Sequence, residues 1–289
     1  LRADFAKYPK SFEFYPWRVQ KYVTETEDYI AKGTGNRAFP WRILAITHED
    51  KEMPTNTLAY ELASPSRIKG DPSWIKPGKV AWDWWNDWNL YGVDFRAGVN
   101  NDTYKYYIDF AAKYNFDYVL IDDGWYSYHN RNVMDANPAL DIPMLCKYAK
   151  ERNIRLILWM GGDAFDKQAE EVCAYYSKMG IAGFKLDFFE RQDQNLITRT
   201  YSMARTAAKY KMILNLHGVY VPKGLNRTYP NIVNFEAVFG LEQLKWTDKK
   251  VADMAKNDLM IPFMRQTAGP IDYTPGAMIN RTREMFRSI

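Results

Sequence analysis

From about residue 75 onward, short apolar runs alternate with longer stretches in which apolar residues recur every third or fourth position. Short runs of this kind are typical of buried strands, and the longer pattern is typical of helices with one apolar face. The strand candidates cover residues 79–85, 118–125, 155–162, 183–189, 212–218, 232–238 and 259–265. The helical pattern is clearest in residues 102–114, 167–179 and 196–210. This alternation predicts βα units around a parallel sheet.

Seven βα units without a dinucleotide-binding glycine fingerprint favour a (β/α)8 TIM barrel over a doubly wound sheet, both within the α/β class. No eighth strand pattern occurs before Ile289, and residues 280–289 have a helical pattern. We therefore expect a barrel that is C-terminally incomplete, because its last βα unit is not accounted for.

The first 70 residues lack this alternation and contain β-rich runs instead, over residues 18–33 and 39–49. The segment 66–78 is rich in Gly and Pro, which favours a boundary there. We expect a β-rich segment in residues 1–70 and the barrel in residues 71–289.

Composition disfavours several classes of protein. The net charge of +4 comes from 39 basic and 35 acidic residues spread along the chain, so no nucleic-acid partner is indicated. No stretch approaches the length of a membrane span, and the first residues have no signal-peptide pattern. Cys146 and Cys173 form no CxxC pattern, which argues against a disulfide framework or a zinc site. Aromatic residues reach 16%, which suits a sugar-binding cleft or an aromatic-rich core equally well.

Polar side chains, mostly carboxylates, come near the C-terminal ends of the predicted strands, which form the active face of a barrel. Several buried carboxylates that converge favour a metal site or acid/base chemistry, whereas each one alone is also consistent with a helix cap or a salt bridge at the barrel rim. The residues are Asp83, Asp122, Asp123, Trp159, Lys185, Asp187, His217, Glu236 and Glu242.

Lys185 and Asp187 lie two residues apart in the strand candidate 183–189, so they share one face of the strand. The opposite face carries Phe184, Leu186 and Phe188. We expect the charged pair to face the barrel interior and the apolar side chains to pack on the helices. Two interpretations stay open for the pair: a structural ion pair, or a carboxylate nucleophile kept ionised by a neighbouring ammonium.

His217 ends the strand candidate 212–218, where an imidazole suits either a ligand hydroxyl or a structural role. The chain has three histidines and no H-x-H or H-E-x-x-H spacing, which disfavours a His-clustered zinc or iron hydrolase. Any metal would therefore be bound through oxygen, and Glu236 and Glu242 would suit a hard cation such as Ca2+.

Six motifs follow one another along roughly residues 35–285: KVAWDWWNDWN, IDDGWY, GFKLDFFERQDQ, LHGVYVPKGLNRTYPN, EAVFGLEQLKW and AGPIDYTPGAM. In this order they resemble the catalytic barrel of glycoside hydrolase family 97. The resemblance implies a calcium-dependent enzyme acting on α-glycosides, with the barrel between an N-terminal β-super-sandwich and a C-terminal β-domain. Residues 1–70 would then be the end of the sandwich domain and its linker, and the location would be periplasmic or secreted in a bacterium.

The resemblance also separates two branches of the family. Retaining, α-galactosidase-like members carry an aspartate nucleophile at the end of the fourth strand, which corresponds to Asp187. Inverting α-glucosidases instead carry a glutamate after the histidine of the fifth strand, where this chain has Gly218, and another glutamate near strand three, where none occurs here. Both absences favour retention.

The same resemblance implies that Glu242 is the general acid/base and that Glu236 and Glu242 are calcium ligands. The remaining strand-end residues are expected to contact the sugar: Asp83, Asp122, Asp123, Trp159, Lys185 and His217.

We therefore predict that the protein is a retaining, exo-acting α-galactosidase that acts on glycoside or oligosaccharide substrates. We expect it to be a monomer or a homodimer. Retention requires the carboxyl groups of Asp187 and Glu242 to lie about 5–5.5 Å apart, instead of the roughly 6.5–9.5 Å of inverting enzymes. The alternatives are an α-glucosidase of the same family, a non-catalytic carbohydrate-binding barrel, and a barrel hydrolase of another bond type that uses a carboxylate-bound metal.

Overall fold

The computed structural model describes residues 6–16, 20–127, 132–189, 191–245 and 253–275. An antiparallel hairpin comes first, formed by β1 (Pro9–Phe14) and β2 (Lys21–Thr26). The short helix α1 (Leu58–Glu61) lies in the irregular segment that follows. β2 lies within the predicted β-rich run 18–33.

Six parallel strands form the main sheet, and neighbours in the sheet are also neighbours in the chain. This order confirms the α/β class and agrees with part of a (β/α)8 barrel. The strands are β3 (Val80–Trp82), β4 (Tyr118–Ile121), β5 (Arg155–Gly161), β6 (Gly183–Asp187), β7 (Ile213–Leu216) and β8 (Ile232–Phe235). The helices are α2 (Asn101–Lys113), α3 (Ile142–Lys150), α4 (Gly162–Lys167), α5 (Ala169–Met179), α6 (Gln194–Lys209), α7 (Leu225–Thr228) and α8 (Met254–Met264).

Local sequence signals set the boundaries of the main helices. The side chains of Asn100 and Asp193 cap α2 and α6. Each accepts a hydrogen bond from the main-chain N–H of the residue three positions later in the chain. Gly180 ends α5 with φ of 93°, a left-handed conformation that favours glycine. The three predicted helical stretches correspond to α2, α5 and α6.

The hydrophobic core lies between the sheet and its helices. All four residues of β4 are buried, as expected for a parallel strand covered on both faces. Phe184 of β6 packs against the rings of Phe165 in α4 and Tyr176 in α5. The prediction that Phe184 faces the helix layer is therefore confirmed.

The seventh predicted strand is wrong, because residues 259–265 belong to the end of α8 and the residue after it. Asp253 caps this helix by accepting the main-chain N–H of Lys256 at 3.0 Å. A short apolar run does not by itself distinguish a strand from a helix. The helical prediction for residues 280–289 lies outside the described residues.

The β-rich run predicted over residues 39–49 is also wrong, since no strand occurs there in the structure. Its large side chains are exposed, with Trp41 at 89% and Ile46 at 90%. Strand propensity without a neighbouring strand or a surface to pack on does not specify a strand. None of the helices among the described residues has the length and apolar character that crossing a membrane requires.

Candidate active site

The predicted site residues come together at the C-terminal end of the six-stranded sheet. Each lies at the end of a strand or in the loop that follows it, because parallel strands bring these ends to one edge. Asp83 follows β3, the pair Asp122 and Asp123 follows β4, Trp159 lies in β5, Lys185 and Asp187 lie in β6, His217 follows β7, Glu236 follows β8, and Glu242 lies in the 3-10 turn Leu241–Lys245.

Lys185 occupies the centre of this arrangement and is 3% exposed. Its ammonium donates to Asp122 Oδ2 at 2.8 Å and lies 4.3 Å from the centre of the Trp82 ring. Burial opposes the charged ammonium, but the charges of Asp122 and Asp187 outweigh it and raise the pKa of Lys185. The ion pair is therefore formed with Asp122 at the end of β4, two strands away in the sheet, and Asp187 acts on the ammonium through its charge.

Asp187 is held by two N–H donors. Its Oδ1 atom accepts from the main-chain N–H of Phe188 at 2.7 Å, and its Oδ2 atom accepts from the indole of Trp159 at 3.2 Å. Phe188 has φ of 64° and packs edge-on against Trp159. The expected alternation therefore ends at Asp187, and the prediction that Phe188 faces the helices is wrong, because the left-handed turn redirects it.

Gly218 lies directly beside this aspartate. Its φ of 50° is in the left-handed region. A Cβ atom at position 218 would lie 3.0 Å from Asp187 Oδ1 and 3.0 Å from the main-chain N of Phe188. A larger side chain at position 218 would thus compete for space with the carboxylate of Asp187.

Asp83 and Asp123 flank Asp122 on the β3 and β4 side of the site. Asp83 is buried and accepts from the Tyr104 hydroxyl at 2.7 Å, and burial and the charge of Asp122 raise the pKa of Asp83 to about 8. The same two causes raise the pKa of Asp123 to about 7. Asp123 Oδ1 is buried without a hydrogen-bond partner among the described residues. This oxygen is free to accept a hydrogen bond from a ligand hydroxyl.

His217 is bonded to a residue that the sequence analysis did not assign to the site, Asp272. Its Nε2 atom lies 2.6 Å from Asp272 Oδ2, which also accepts from Asn215 at 2.7 Å. Burial and the charge of Lys185 oppose protonation of His217, but the hydrogen bond to Asp272 and the charges of Asp272 and Glu236 together outweigh them and raise its pKa. Burial likewise opposes ionisation of Asp272, but the hydrogen bond and charge of His217, together with the bond from Asn215 and the charge of Lys185, lower its pKa to about 2.

Asp272 lies in the motif AGPIDYTPGAM, which the sequence analysis used only for the family resemblance. Its main-chain N–H donates to Phe235 O at 2.7 Å, which anchors the loop to the end of β8. An isolated aspartate in a loop between Gly and Pro residues has no local signal of a site. The motif order was the one signal that pointed to this loop.

Glu236 and Glu242 form the acidic side of the site near β8. Glu236 Oε2 accepts from the main-chain N–H of Gly218 at 2.8 Å. Burial raises the pKa of both glutamates, and the charge of Asp187 adds to the effect. Within the described part of the chain, no group of three or more His, Cys, Asp or Glu side chains is arranged to hold a metal ion.

A cavity of about 520 Å³ opens beside these residues. Trp82, Lys185, His217 and Asp272 are among the residues that line it, together with aromatic residues of α2 and apolar residues of β3 and β4. Such a volume accommodates a small ligand with apolar and polar faces.

Residues 84–238, more than half of the chain, match the model of the family described as Glycoside hydrolase 97. The chain belongs to glycoside hydrolase family 97. The resemblance drawn from the six motifs is thereby confirmed.

Two curated relatives extend the similarity of this family 97 chain. A "Retaining alpha-galactosidase" of Bacteroides thetaiotaomicron is 52% identical over 266 residues, which are 92% of this chain and 40% of that protein. A "Probable retaining alpha-galactosidase" of Streptomyces bingchenggensis is 30% identical over 248 residues, which are 84% of this chain and 37% of that protein. The chain therefore spans about 40% of the length of such relatives.

Solved structures agree with the family 97 fold. A glycoside hydrolase family 97 enzyme in complex with acarbose, from Pseudoalteromonas sp. strain K8, superposes with a TM-score of 0.67 at 28% identity. The match covers 80% of this chain and 39% of that one.

The raised pKa of Asp83 predicts a specific pH dependence of stability. Because its pKa is about 8 in the folded chain and 3.8 as the reference value, folding binds a proton between these two pH values. The folded state therefore loses stability as pH rises through this window. We expect Asp83→Asn, which does not titrate, to gain stability relative to the parent between pH 5 and pH 8.

Urea unfolding at both pH values measures this difference, with Asp102→Asn on the exposed start of α2 as the control. The control is expected to follow the parent. A stability difference between Asp83→Asn and the parent that stays constant with pH would contradict the prediction.

Proposed function

We propose that the protein is a retaining α-galactosidase that hydrolyses terminal α-galactosides by double displacement. The observation that carries the proposal is the setting of Asp187, held by two N–H donors at the end of β6 with Gly218 against its carboxylate. Gly218 leaves the space that a nucleophilic carboxylate needs, whereas a glutamate at this position would occupy it. The name of the 52% identical relative supports the same reading.

In the first step, Asp187 attacks the anomeric carbon while Glu242 protonates the glycosidic oxygen that leaves. Water then attacks the glycosyl-enzyme with Glu242 as the base, and two inversions give net retention. The raised pKa of Glu242 supports its role as the acid, because a protonated carboxyl is needed at neutral pH. This mechanism expects carboxyl groups about 5–5.5 Å apart.

The sugar is proposed to contact the remaining strand-end residues, which are Asp83, Asp122, Asp123, Trp159, Lys185 and His217. The buried, unpartnered Oδ1 atom of Asp123 supports this proposal, since a sugar hydroxyl would supply the missing donor. Trp159 offers an apolar ring next to the nucleophile. Lys185, as a buried ammonium, is suited to bind hydroxyl oxygens.

We propose calcium as the cofactor, held by Glu236 and Glu242. Their chemistry fits a hard cation, because both are buried carboxylates, whose oxygens such a cation prefers, and burial raises the pKa of each. When bound, calcium supplies positive charge that orients the carboxylates and polarises nearby ligand oxygens. Glu236 in turn fixes the main chain at Gly218 through its hydrogen bond.

The family resemblance also motivates three coarser proposals. We propose that residues 1–70, which include the hairpin of β1 and β2, lie outside the barrel that residues 71–289 form. We further propose a periplasmic or secreted location, and a monomer or homodimer.

Proton NMR during the first minutes of hydrolysis tests substrate and stereochemistry together. With an aryl α-galactoside, we expect the α-anomer of galactose to form first and the β-anomer to follow by mutarotation. Initial release of the β-anomer would contradict retention. Faster turnover of the matching α-glucoside would favour the α-glucosidase alternative, and turnover of neither would favour a binding barrel.

Asp187→Ala is expected to lose several orders of magnitude in kcat while its circular dichroism spectrum stays that of the parent. Added azide should restore part of the activity, because it replaces the missing nucleophile. Asp109→Ala is the matched control, since this exposed carboxylate on α2 bonds Tyr148 and Arg152, which are not residues of the site. A fully active Asp187→Ala protein would end the assignment of the nucleophile.

Isothermal titration with Ca2+ tests the cofactor without relying on activity. Glu236→Gln keeps the size and a hydrogen-bond acceptor for Gly218 but removes the charge, so we expect calcium affinity to fall by about tenfold or more. The control is Glu170→Gln, an exposed glutamate that pairs with Lys209. Equal calcium affinity in all three proteins, or turnover that survives chelation, would count against the calcium site.

A further inference from the structure

Arg265 is a buried cation that contacts two separate segments of main chain near the site. It follows α8 and is 4% exposed. Its Nε atom donates to Ala237 O at 3.1 Å. From the other end of the guanidinium, Nη1 donates to Gly269 O at 2.9 Å and Nη2 to Pro270 O at 2.8 Å. One side chain thus joins residues just beyond β8 to the loop after α8.

Each of these segments carries one acid of the site. The first contains Glu236, whose carbonyl lies 3.3 Å from Nη2 of Arg265. The second contains Asp272, two residues after Pro270. The position of both acids therefore depends on how the two segments are held together.

The location of β8 explains why an arginine is needed. Among the described strands, β8 is the last in the sheet order. No further strand within the described residues supplies donors to the carbonyl groups just past its end, and buried carbonyls require donors. Arg265 provides several donors from one planar group, in a fixed geometry that a lysine ammonium does not reproduce.

We propose that Arg265 is a positioning residue for Glu236 and Asp272. It holds the two main-chain segments so that Asp272 bonds His217 and Glu236 accepts from the main-chain N–H of Gly218. Its expected effect on catalysis rests on the proposed glycosidase function. Its effect on the geometry around His217 does not.

Three variants test this role. Arg265→Met removes all donors, and Arg265→Lys keeps the charge but lacks the planar set of donors. The matched control is Arg227→Met, because Arg227 also donates to main-chain carbonyls, those of Tyr60 and Ala63, and joins α1 to α7. Each protein is checked by thermal unfolding.

The first readout is independent of activity. The NMR spectrum of the protein labelled with 15N-histidine is recorded. The chain has three histidines, and the resonances of His217 are identified by their loss when His217 is replaced by Asn. At fixed pH, we expect Arg265→Met to shift the His217 Nε2 resonance and to weaken its hydrogen-bonded proton signal, because Asp272 moves away. Arg265→Lys should give a smaller shift, and Arg227→Met none.

The second readout is turnover of an aryl α-galactoside. A displacement of about 1 Å at a catalytic site costs about 100-fold in rate, so we expect kcat of Arg265→Met to fall by about that factor, with a smaller change in KM. Arg265→Lys should recover part of this loss, and Arg227→Met should keep the parent kcat.

Parent values of the His217 resonances and of kcat in Arg265→Met would overturn the proposal. If Arg265→Met does not fold, Arg265→Lys decides, and unchanged His217 resonances in that variant would overturn it equally. If the parent hydrolyses neither glycoside, the proposed function fails, while the His217 resonances still decide whether Arg265 positions Asp272.

Discussion

The site depends on one buried ammonium surrounded by carboxylates. Lys185 bonds Asp122 at 2.8 Å with both side chains almost fully removed from water. A buried ion pair of this kind contributes little net stability, because desolvation offsets most of the attraction. Its importance is positional: it links Asp122 at the end of β4 to β6, two strands away in the sheet. The charge of Asp122 then adds to the effect of burial on the neighbouring acids.

Four of the other acids hold their protons more tightly than exposed carboxylates do. Burial and the charge of Asp122 raise the pKa of Asp83 to about 8 and that of Asp123 to about 7. Glu236 and Glu242 also have raised pKa values, through burial. A site with more carboxylates than nearby cations therefore keeps protonated acids available, which is the state that acid catalysis requires.

The main sheet and most of the acids could be predicted from the sequence, because apolar runs and the polar residues that follow them are local features. Asp272 could not, since it reaches His217 from a loop more than fifty residues further along the chain. The role of Arg265 could not be predicted either, because it lies in the segment 259–265, whose apolar pattern predicts a strand. Its segment forms the end of a helix that Asp253 caps, and this cap is not visible in the apolar pattern alone.

By itself, the sequence determined that Lys185 and Asp187 share one face of a strand, because side chains alternate with a period of two residues whatever surrounds them. It also determined, through the order of its motifs, the family to which the chain belongs. Only the tertiary structure decided the partners: Lys185 bonds Asp122, and Asp187 bonds Trp159 and the main chain of Phe188. Which residues become partners depends on the register between strands and on the distance between their side chains across the sheet. Both are fixed only when the sheet has formed.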